Sequence, residues 1–425
     1  MHKASPKFSI IIPVRNGAKY LPSCLESICG QSYEDYELII SDDHSEDGTK
    51  EYLQTLTHPN IKIIEPPESL SMTEHWEWAL SHAQGEWLIF VGQDDGVQPY
   101  FFELADQLTK IAEHKKLRTI TSQRAYYFWP GCEMTYGDNA VFYVATNRVE
   151  IRNFHYEAFK ALMGIQTYFE LPQMYTTSFF QKDLLDEARI KQDGKVFTCH
   201  PQDANLGAIA SSLEKQYLFS AIPLGWVGTS PKSAGMAISC NREDEKTEDA
   251  QTLKNLKAEY LEKISKSKLD YHELAGSFAF GNNAIYFWQA LLKTEVLRHY
   301  LINMLLMSKL FRILLFGAVW LKIGNVQNEE KKEIFAEILD KNRCSFLSIK
   351  VSSVAIRGIR YLWQISYFFY RGYRKIRRWM HCWPKQIKYR VAWSQKEDID
   401  MHKASVLIQS LIKKEQWISH LQDLK

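Results

Sequence analysis

The chain has 425 residues, of which 45% are apolar and 24% are charged, and its formal net charge is +2. This composition excludes a disordered or fibrous protein, and the length indicates two or three structural units. Seven scattered cysteines without a Cys-x-x-Cys pair argue against a disulfide framework or a zinc knuckle and favour a reducing compartment. The apolar run Ile313 to Leu321 is shorter than the roughly 20 residues of a spanning helix. Since no secretion signal stands at the amino terminus, we expect a cytoplasmic protein.

The first hundred residues alternate between strand and helix patterns. Four apolar runs, "FSIIIPV", "YELIISD", "IKII" and "EWLIFVG", are typical of strands that are covered on both faces. The segments between them carry apolar positions at helical spacing, the first helix closing at Gly30 and the second beginning at Ser45 or Asp47. Repeated β–α units of this kind predict an α/β fold with a parallel, doubly wound sheet.

The later chain divides into three further regions. Residues 119–175 carry hairpin-like strands, and the helix "ANLGAIASSLEK" and a Gly/Ser/Pro loop follow them. We predict an α/β domain over residues 1–240, a charged linker or helix over residues 241–270, and a helical region rich in basic and aromatic residues over residues 271–425.

Paired acids follow two of the predicted strands. Asp42 and Asp43 end the second strand, and Asp94 and Asp95 end the fourth. Ligands bind at the carboxyl ends of strands in open α/β sheets, and neighbouring carboxylates repel each other unless a cation lies between them. A divalent metal that prefers oxygen ligands, Mg²⁺ or Mn²⁺, would relieve this repulsion. The alternative is that Asp94 caps the next helix and Asp95 is a solvated neighbour.

The segment "FSIIIPVRNGAKYLPSCLESICGQSYEDYELIISDDHSEDGT" together with "AQGEWLIFVGQDDGVQP" resembles glycosyltransferase family 2, the large inverting family with the GT-A nucleotide-diphospho-sugar transferase fold. The likeness is strong over about 110 residues and weaker to about residue 235. It implies a Rossmann-like mixed sheet flanked by helices. It also implies an inverting, metal-dependent transfer of sugar from a nucleotide-diphosphate sugar, a UDP-sugar, to a glycan or lipid-linked acceptor in surface-polysaccharide synthesis.

The resemblance also assigns roles to individual residues. The nucleotide would contact Pro13, Arg15, Asp42, Asp43 and Asp94, and the metal, Mn²⁺ or Mg²⁺, would be held by Asp95 and Asp94. Family members commonly carry a further acid where this chain has Gly92 or Gln93, so the choice of metal ligand between the two aspartates stays open.

An inverting transfer needs a base for the acceptor hydroxyl. By its position in "CHPQDANLGAIA", Asp203 fits the acid that the family uses for this purpose, although an acid in a first helical turn is also favoured by the helix dipole. His200 is an alternative base.

Two further features of the site carry less specific signals. The loop "GTSPKSAG" resembles one that closes over the diphosphate, with Ser230, Lys232 and Ser233 as phosphate contacts, or it is an ordinary surface turn. Arg124 and Trp129 are expected on the acceptor side.

No acidic residue occurs between Asp340 and Glu397, an interval with fourteen Lys and Arg residues. Arg357, Arg360, Arg371, Arg374 and Arg378 recur at helical spacing, next to an aromatic face. This pattern favours a helix on an anionic membrane surface, at the inner face of the cell membrane. The alternatives are packing on the α/β domain and RNA binding, but no nucleic-acid motif accompanies the charge, so we expect no nucleic-acid partner.

Two other functional classes are alternatives to this enzyme. Because Gln93 replaces an acid, a catalytically inactive GT-A scaffold in a membrane-bound polysaccharide assembly is the main alternative. A nucleotidyltransferase is disfavoured because no glycine-rich phosphate loop with a Lys or Arg follows the first strand.

Overall fold

The computed structural model describes residues 5–133, 137–231, 233, 283–323, 361, 386–395 and 399–415, residues 332–358 except 334, 337–338 and 341–342, and residues 417, 418 and 421. Its strands are β1 (Phe8–Val14), β2 (Tyr36–Asp42), β3 (Ile61–Ile64), β4 (Trp87–Phe90), β5 (Gly96–Val97), β6 (Thr119–Ser122), β7 (Ala125–Phe128), β8 (Asn139–Thr146), β9 (Val149–Asn153), β10 (Ser178–Gln181), β11 (Gln216–Ser220), β12 (Gly225–Thr229) and β13 (Gln386–Ala392).

The described helices are α1 (Leu21–Cys29), α2 (Thr49–Gln54), α3 (Met72–Ser81), α4 (Phe101–His114), α5 (Phe154–Leu162), α6 (Lys182–Lys191), α7 (Gln202–Leu213), α8 (Asn283–Lys293), α9 (Tyr300–Met307), α10 (Lys309–Ile323), α11 (residues 346–358) and α12 (Met401–Glu415). The α/β fold class, with helices in the carboxyl-terminal part, is therefore confirmed.

The larger sheet has the strand order β3-β2-β1-β4-β10-β6-β11-β9. Its first four strands are parallel, and β10 joins them in the antiparallel direction. Val14 lies opposite Asp42 in the β1–β2 register, so the strand ends that carry the predicted acids share one edge. Alternate residues of β1 serve different cores, because Ile10 and Ile12 pack on one face of the sheet and Ile11 on the other.

The smaller sheet has the order β13-β8-β7-β12-β5. Strands β7 and β8 pair in the antiparallel direction, as the hairpin pattern predicted. The short strand β5 begins directly after the acid pair and is antiparallel to β12. This pairing brings the β12 backbone against the loop that carries Asp94 and Asp95.

Two expectations need correction. The amino-terminal cap of helix α2 is Gly48, with φ of 91°, and not Ser45 or Asp47. The Asp47 carboxylate accepts a hydrogen bond from the backbone N–H of Thr49, the first residue of the helix. Residues 386–392, expected in a helical region, form strand β13, which pairs with β8 over residues 139–146. An exposed edge strand has unpaired backbone N–H and C=O groups. The pairing of β13 with β8 supplies hydrogen-bond partners for such groups on both strands.

The chain end also returns to the α/β core. Met401, Ala404 and Ile408 on α12 are buried in the cluster that contains Ile10 and Ile12. The indole Nε1 of Trp226 donates to Ser405 Oγ at 2.8 Å. Residues 399–415 thus pack on the α/β unit, whereas the predicted linker, residues 241–270, lies outside the described residues.

Helices α8 to α10 extend the core on the other face of the sheet, where Phe287 and Leu291 of α8 are fully buried beside α7. Over the residues that the structure describes, no single helix has both the length and the apolar content of a membrane span. The α9–α10 pair meets those criteria only as a unit bent by 74°.

Candidate active site

Arg15 and Asp43 form an ion pair where β1 and β2 end. Arg15 Nη1 donates to Asp43 Oδ2 at 2.8 Å and to Ser69 Oγ at 2.7 Å, and Asp43 Oδ1 accepts from the backbone N–H of Leu70 at 2.9 Å. Asp43 is buried, whereas Arg15 keeps 37% of its side chain exposed. Arg15 therefore remains accessible at the sheet edge, with its guanidinium oriented by Asp43. Pro13, two residues before Arg15, is buried and lies opposite Ser41 in the β1–β2 register.

Asp42 is as buried as Asp43, each residue being 2% exposed. Its carboxylate accepts from the hydroxyl and the backbone N–H of Ser45, and burial raises its pKa. These bonds close the turn after β2. The structure thus shows Asp42 as a group that shapes this turn, and its place in a nucleotide pocket stays a prediction.

Gln93, which stands where the family commonly has an acid, joins two strand ends. Its side-chain oxygen accepts from the backbone N–H of Arg15 at 3.0 Å, and its Nε2 donates to the backbone carbonyl of Arg15 at 3.1 Å. A carboxylate has no hydrogen to donate in the second bond. Only an amide at this position forms both hydrogen bonds to the Arg15 backbone.

The two acids after β4 differ in their surroundings. Asp95 is 2% exposed, and its oxygens accept from the backbone N–H groups of Gly92 and Gly228, each at 2.7 Å. Asp94 is partly exposed and accepts from the backbone N–H of Ser230 at 3.1 Å through Oδ2. Asp95 thus ties the loop to β12, and Asp94 is the member of the pair that a ligand reaches more easily.

This arrangement raises the pKa values of both acids. Burial, and then the charge of Asp94, raise the pKa of Asp95 to about 8, while Arg124 acts in the opposite direction. Burial also raises the pKa of Asp94. Two carboxylates held this close in a desolvated loop favour a positive charge beside them.

Asp203 lies in the first turn of α7 and is 7% exposed. One carboxylate oxygen accepts from the Tyr168 hydroxyl at 2.9 Å, and the other accepts from the backbone N–H of Ala204 at 2.8 Å. Burial raises the pKa of Asp203, which brings the carboxylate closer to the basicity that proton abstraction needs. The place of Asp203 in the first turn of α7 is thus compatible with a role as the base.

Arg124 and Tyr175 connect the acid pair with Asp203. The charge of Arg124 lowers the pKa of both Asp95 and Asp203, although burial raises each by more. Burial and the charges of Asp203, Asp95 and Asp94, in that order, raise the pKa of Tyr175. Tyr175 therefore lies within electrostatic range of all three acids, and Arg124 within range of Asp95 and Asp203, which the sequence alone does not establish.

Sequence reasoning missed Tyr168 and Tyr175. Tyr175 and Thr176 adopt positive φ angles of 67° and 60°, and Thr176 donates its backbone N–H to the Phe90 carbonyl at 3.0 Å, at the end of β4. Left-handed conformations of such residues are strained and cluster at functional sites. The segment "QMYTTS" contains no glycine or asparagine that would have signalled this turn.

The remaining predicted residues are Ser230, Lys232, Ser233, Trp129 and His200. Ser230 is buried, and its carbonyl accepts from the backbone N–H of Ser233 at 2.9 Å, whereas Lys232 lies outside the described residues. Trp129 Nε1 donates to the Asp94 carbonyl at 2.8 Å. Burial lowers the pKa of His200 to about 3, so this imidazole is a weaker base than Asp203.

The fit of a divalent cation can be judged from the donors. Among the described residues, no group of three or more His, Cys, Asp or Glu side chains could hold a metal. Mg²⁺ and Mn²⁺, however, need only one or two carboxylates when phosphates and water complete the shell. The uncompensated charge at Asp94 and Asp95 fits such a cation, with Asp94 as the accessible ligand.

Curated relatives match about a quarter of this chain. A "PGL/p-HBAD biosynthesis glycosyltransferase" of Mycobacterium bovis (strain BCG / Pasteur 1173P2) is 36% identical over 112 residues, which are 26% of this chain and 41% of that protein. The "Putative glycosyltransferase EpsE" of Bacillus subtilis (strain 168) is 31% identical over 121 residues, 28% of this chain and 42% of that protein. The match spans about two fifths of the length of these relatives.

Solved structures show a more distant likeness. The structure of S. aureus TarS 1-349 in complex with UDP-GlcNAc has a TM-score of 0.41 at 13% identity, over 80% of this chain and 93% of that one. The mannosyltransferase PcManGT from Pyrobaculum calidifontis, in complex with GDP-Man and Mn²⁺, has a TM-score of 0.36 at 16% identity, over 80% and 88%. Scores this low do not bear on substrate or mechanism.

A family model matches the strands and acids of the amino-terminal part of the chain. The family model "Glycosyl transferase family 2" matches residues 9–170, which include both acid pairs and most of the larger sheet. Over these residues the chain is similar to family 2 glycosyltransferases.

Proposed function

We propose that this protein transfers a sugar from a nucleotide-diphosphate sugar, a UDP-sugar, to a hydroxyl of a lipid-linked glycan, with inversion at the anomeric carbon. The observation that carries the proposal is the Asp94–Asp95 pair, which adjoins the strand end at Arg15 through the Gln93 side chain, with the buried Asp203 within electrostatic range of the same Tyr175. Strand-end acids suit a nucleotide diphosphate with its cation, and a buried carboxylate suits proton abstraction.

The reaction assigned to the site is a single displacement. Asp203 takes the proton of the acceptor hydroxyl while that oxygen attacks the anomeric carbon, and the bond to the nucleoside diphosphate breaks with its electron pair on phosphate oxygen. Arg15, oriented by Asp43, lies at the nucleotide side. A divalent cation held by Asp94, with Asp95 behind it, would stabilise the charge on the departing diphosphate.

A comparison of Asp203→Asn with Asp94→Asn tests these roles. Asn at 203 keeps an acceptor for the Tyr168 hydroxyl but removes the base, so turnover should fall by about 10²–10⁴-fold while UDP binding is retained. Asn at 94 should weaken metal-dependent UDP binding itself. The first measurement is hydrolysis and transfer with a panel of nucleotide sugars. Wild-type turnover in Asp203→Asn would contradict the assignment of the base.

The second candidate function is an inactive GT-A scaffold in a membrane-bound polysaccharide assembly. It is favoured by the satisfied hydrogen bonds of Asp95 and by the structural use of Gln93. Thermal shifts with UDP or GDP, with and without Mn²⁺, separate the two candidates. The enzyme predicts metal-dependent stabilisation that Asp94→Asn removes, and the scaffold predicts no response in either protein.

Association with an anionic membrane surface is also proposed, at the inner face of the cell membrane. The predicted basic stripe lies mostly outside the described residues, but α11 is described. Leu347, Val351 and Val354 on α11 are 74%, 65% and 70% exposed at helical spacing, and Lys350 and Arg357 are exposed beside them. An apolar stripe with cationic flanks fits the headgroup region of an anionic bilayer.

Flotation with liposomes tests this surface. The variant Leu347→Ser/Val351→Ser should lose binding to anionic liposomes, and neutral liposomes should recover little of either protein. Ile190→Ser is the matched control, because Ile190 is 82% exposed on α6, within the α/β unit. Equal recovery of both variants with the wild type would exclude α11 as the docking surface.

A further inference from the structure

Arg124 is a buried cation without a protein partner among the described residues. It lies between β6 and β7 and is 8% exposed, and its Nε and Nη2 are buried without a hydrogen bond. Its guanidinium carbon lies 3.9 Å from the ring centroid of Phe169. Stacking of this kind orients the guanidinium plane but leaves its N–H donors unused.

Of the three other described arginines with an unbonded buried nitrogen, two are ion-paired, and the third, Arg312, belongs to α10. Arg148 has Glu150 at 3.4 Å, and Arg298 has Glu295 at 3.4 Å. For Arg124 the described residues provide no carboxylate within 4.0 Å, although Asp95 and Asp203 are near enough for its charge to affect them. The positive charge is therefore within electrostatic range of Asp95 and Asp203, but it forms no ion pair with either.

A guanidinium does not lose its proton at any ordinary pH, so burial cannot be relieved by titration. A buried charge of this kind is costly unless a counter-charge is supplied. Its planar array of donors matches two oxygens of a phosphate group, and such pairs are among the strong hydrogen bonds in proteins. The unused donors thus indicate an oxyanion brought by a ligand.

We propose that Arg124 is a phosphate-binding residue of the active site, which holds a ligand phosphate between the Asp94–Asp95 pair and Asp203. The inference rests on the proposed function, since it takes the same cleft as the place of sugar transfer. Two sources have this chemistry: the diphosphate of the donor nucleotide, and a phosphate carried by the acceptor.

The test uses Arg124→Met and Arg124→Lys in the full chain, with UDP, uridine and inorganic phosphate as probes in the presence of Mn²⁺. If the donor supplies the phosphate, Arg124→Met weakens UDP about 10- to 100-fold and leaves uridine unchanged. If the acceptor supplies it, UDP binding is unchanged, but inorganic phosphate stabilises only the UDP-loaded wild type. Arg124→Lys, which keeps the charge without the planar donor array, should fall between the two.

Two readouts separate this role from a structural one. Because Arg124→Met removes an unpaired buried charge, its melting temperature without ligand should equal or exceed that of the wild type. The control Arg152→Gln removes an arginine that also stacks on a ring, Phe219, but is paired with Glu150 and Glu170, so it should lose stability and keep UDP affinity.

Arg124→Met with lower stability and wild-type affinity for UDP and phosphate would overturn the proposal. If the wild type itself binds no UDP with Mn²⁺, the proposed function fails first, and an unchanged response to phosphate in Arg124→Met then also overturns the inference.

Discussion

The closest backbone approach at the candidate site is at Gly228, and it leads to a quantitative prediction for Gly228→Ala. A Cβ at this position would lie 1.7 Å from the Asp94 carbonyl oxygen, 2.4 Å from its carbon and 3.0 Å from the Asp95 nitrogen. All three atoms belong to backbone, so no side-chain rotation relieves the contact.

The cost follows from the shift that the methyl group enforces. A carbon needs about 3.3 Å from a carbonyl oxygen, so β12 must move by about 1.6 Å. The hydrogen bond from Gly228 N–H to Asp95 Oδ1, now 2.7 Å, would then be lost. Losing a hydrogen bond to a charged group costs about 1.5–3 kcal/mol, and forcing a methyl group into a packed site costs about 1–3 kcal/mol. We expect a destabilisation of about 2.5–6 kcal/mol, the sum of the two.

Urea unfolding of Gly228→Ala against the wild type measures this change, and nucleotide-sugar turnover should fall with it because the acid loop moves. The matched control is Gly358→Ala, at an exposed helical position where an added Cβ meets nothing within 4 Å. That change should stabilise the protein by about 0.5–1 kcal/mol. A Gly228→Ala protein within about 0.5 kcal/mol of the wild type, with full turnover, would refute the reasoning.

Three further substitutions test the same structure. Burial lowers the pKa of His75 from 6.5 to about 4, so between these pH values the unfolded chain binds a proton that the folded chain does not. The wild type should therefore lose stability as the pH falls from 7 to 4. His75→Gln should lose less, by up to about 3 kcal/mol in thermal or urea unfolding. Ser405→Ala leaves the buried indole N–H of Trp226 without an acceptor and should cost about 1–3 kcal/mol in urea unfolding, whereas Ser410→Ala, on the exposed side of α12, should be neutral. Gln93→Glu supplies the acid that the family commonly carries but loses the donor of the 3.1 Å bond to the β1 end, so we expect lower stability and no gain in turnover; higher kcat would contradict the structural use of this amide.

Local patterns were sufficient for the amino-terminal half of the fold. The runs of apolar residues, their lengths and the breaks between them predicted β1 to β4 and the helices α1 and α3, because each such element is specified by residues adjacent in sequence. The position of the acids after β2 and β4 also followed, since parallel strands present their carboxyl ends at one edge.

Only the tertiary structure decided how the acids differ. Asp94 and Asp95 are neighbours of the same residue type, yet the backbone of β12, more than a hundred residues later, satisfies Asp95 and leaves Asp94 accessible. The pairing of β13 with β8 and the packing of α12 on the core depend on contacts across even longer separations. Periodicity reports which face of an element is apolar, but not which partner covers that face.

Arg124 shows the same division most clearly. The sequence identifies a cation between two strands, a position where an arginine is usually solvated. Its burial on Phe169, without a carboxylate partner among the described residues, exists only once β6, β7 and the segment before β10 have come together. Sequence determines which groups are available and which local elements carry them, whereas burial and charge pairing, which set their chemistry, are properties of the folded chain.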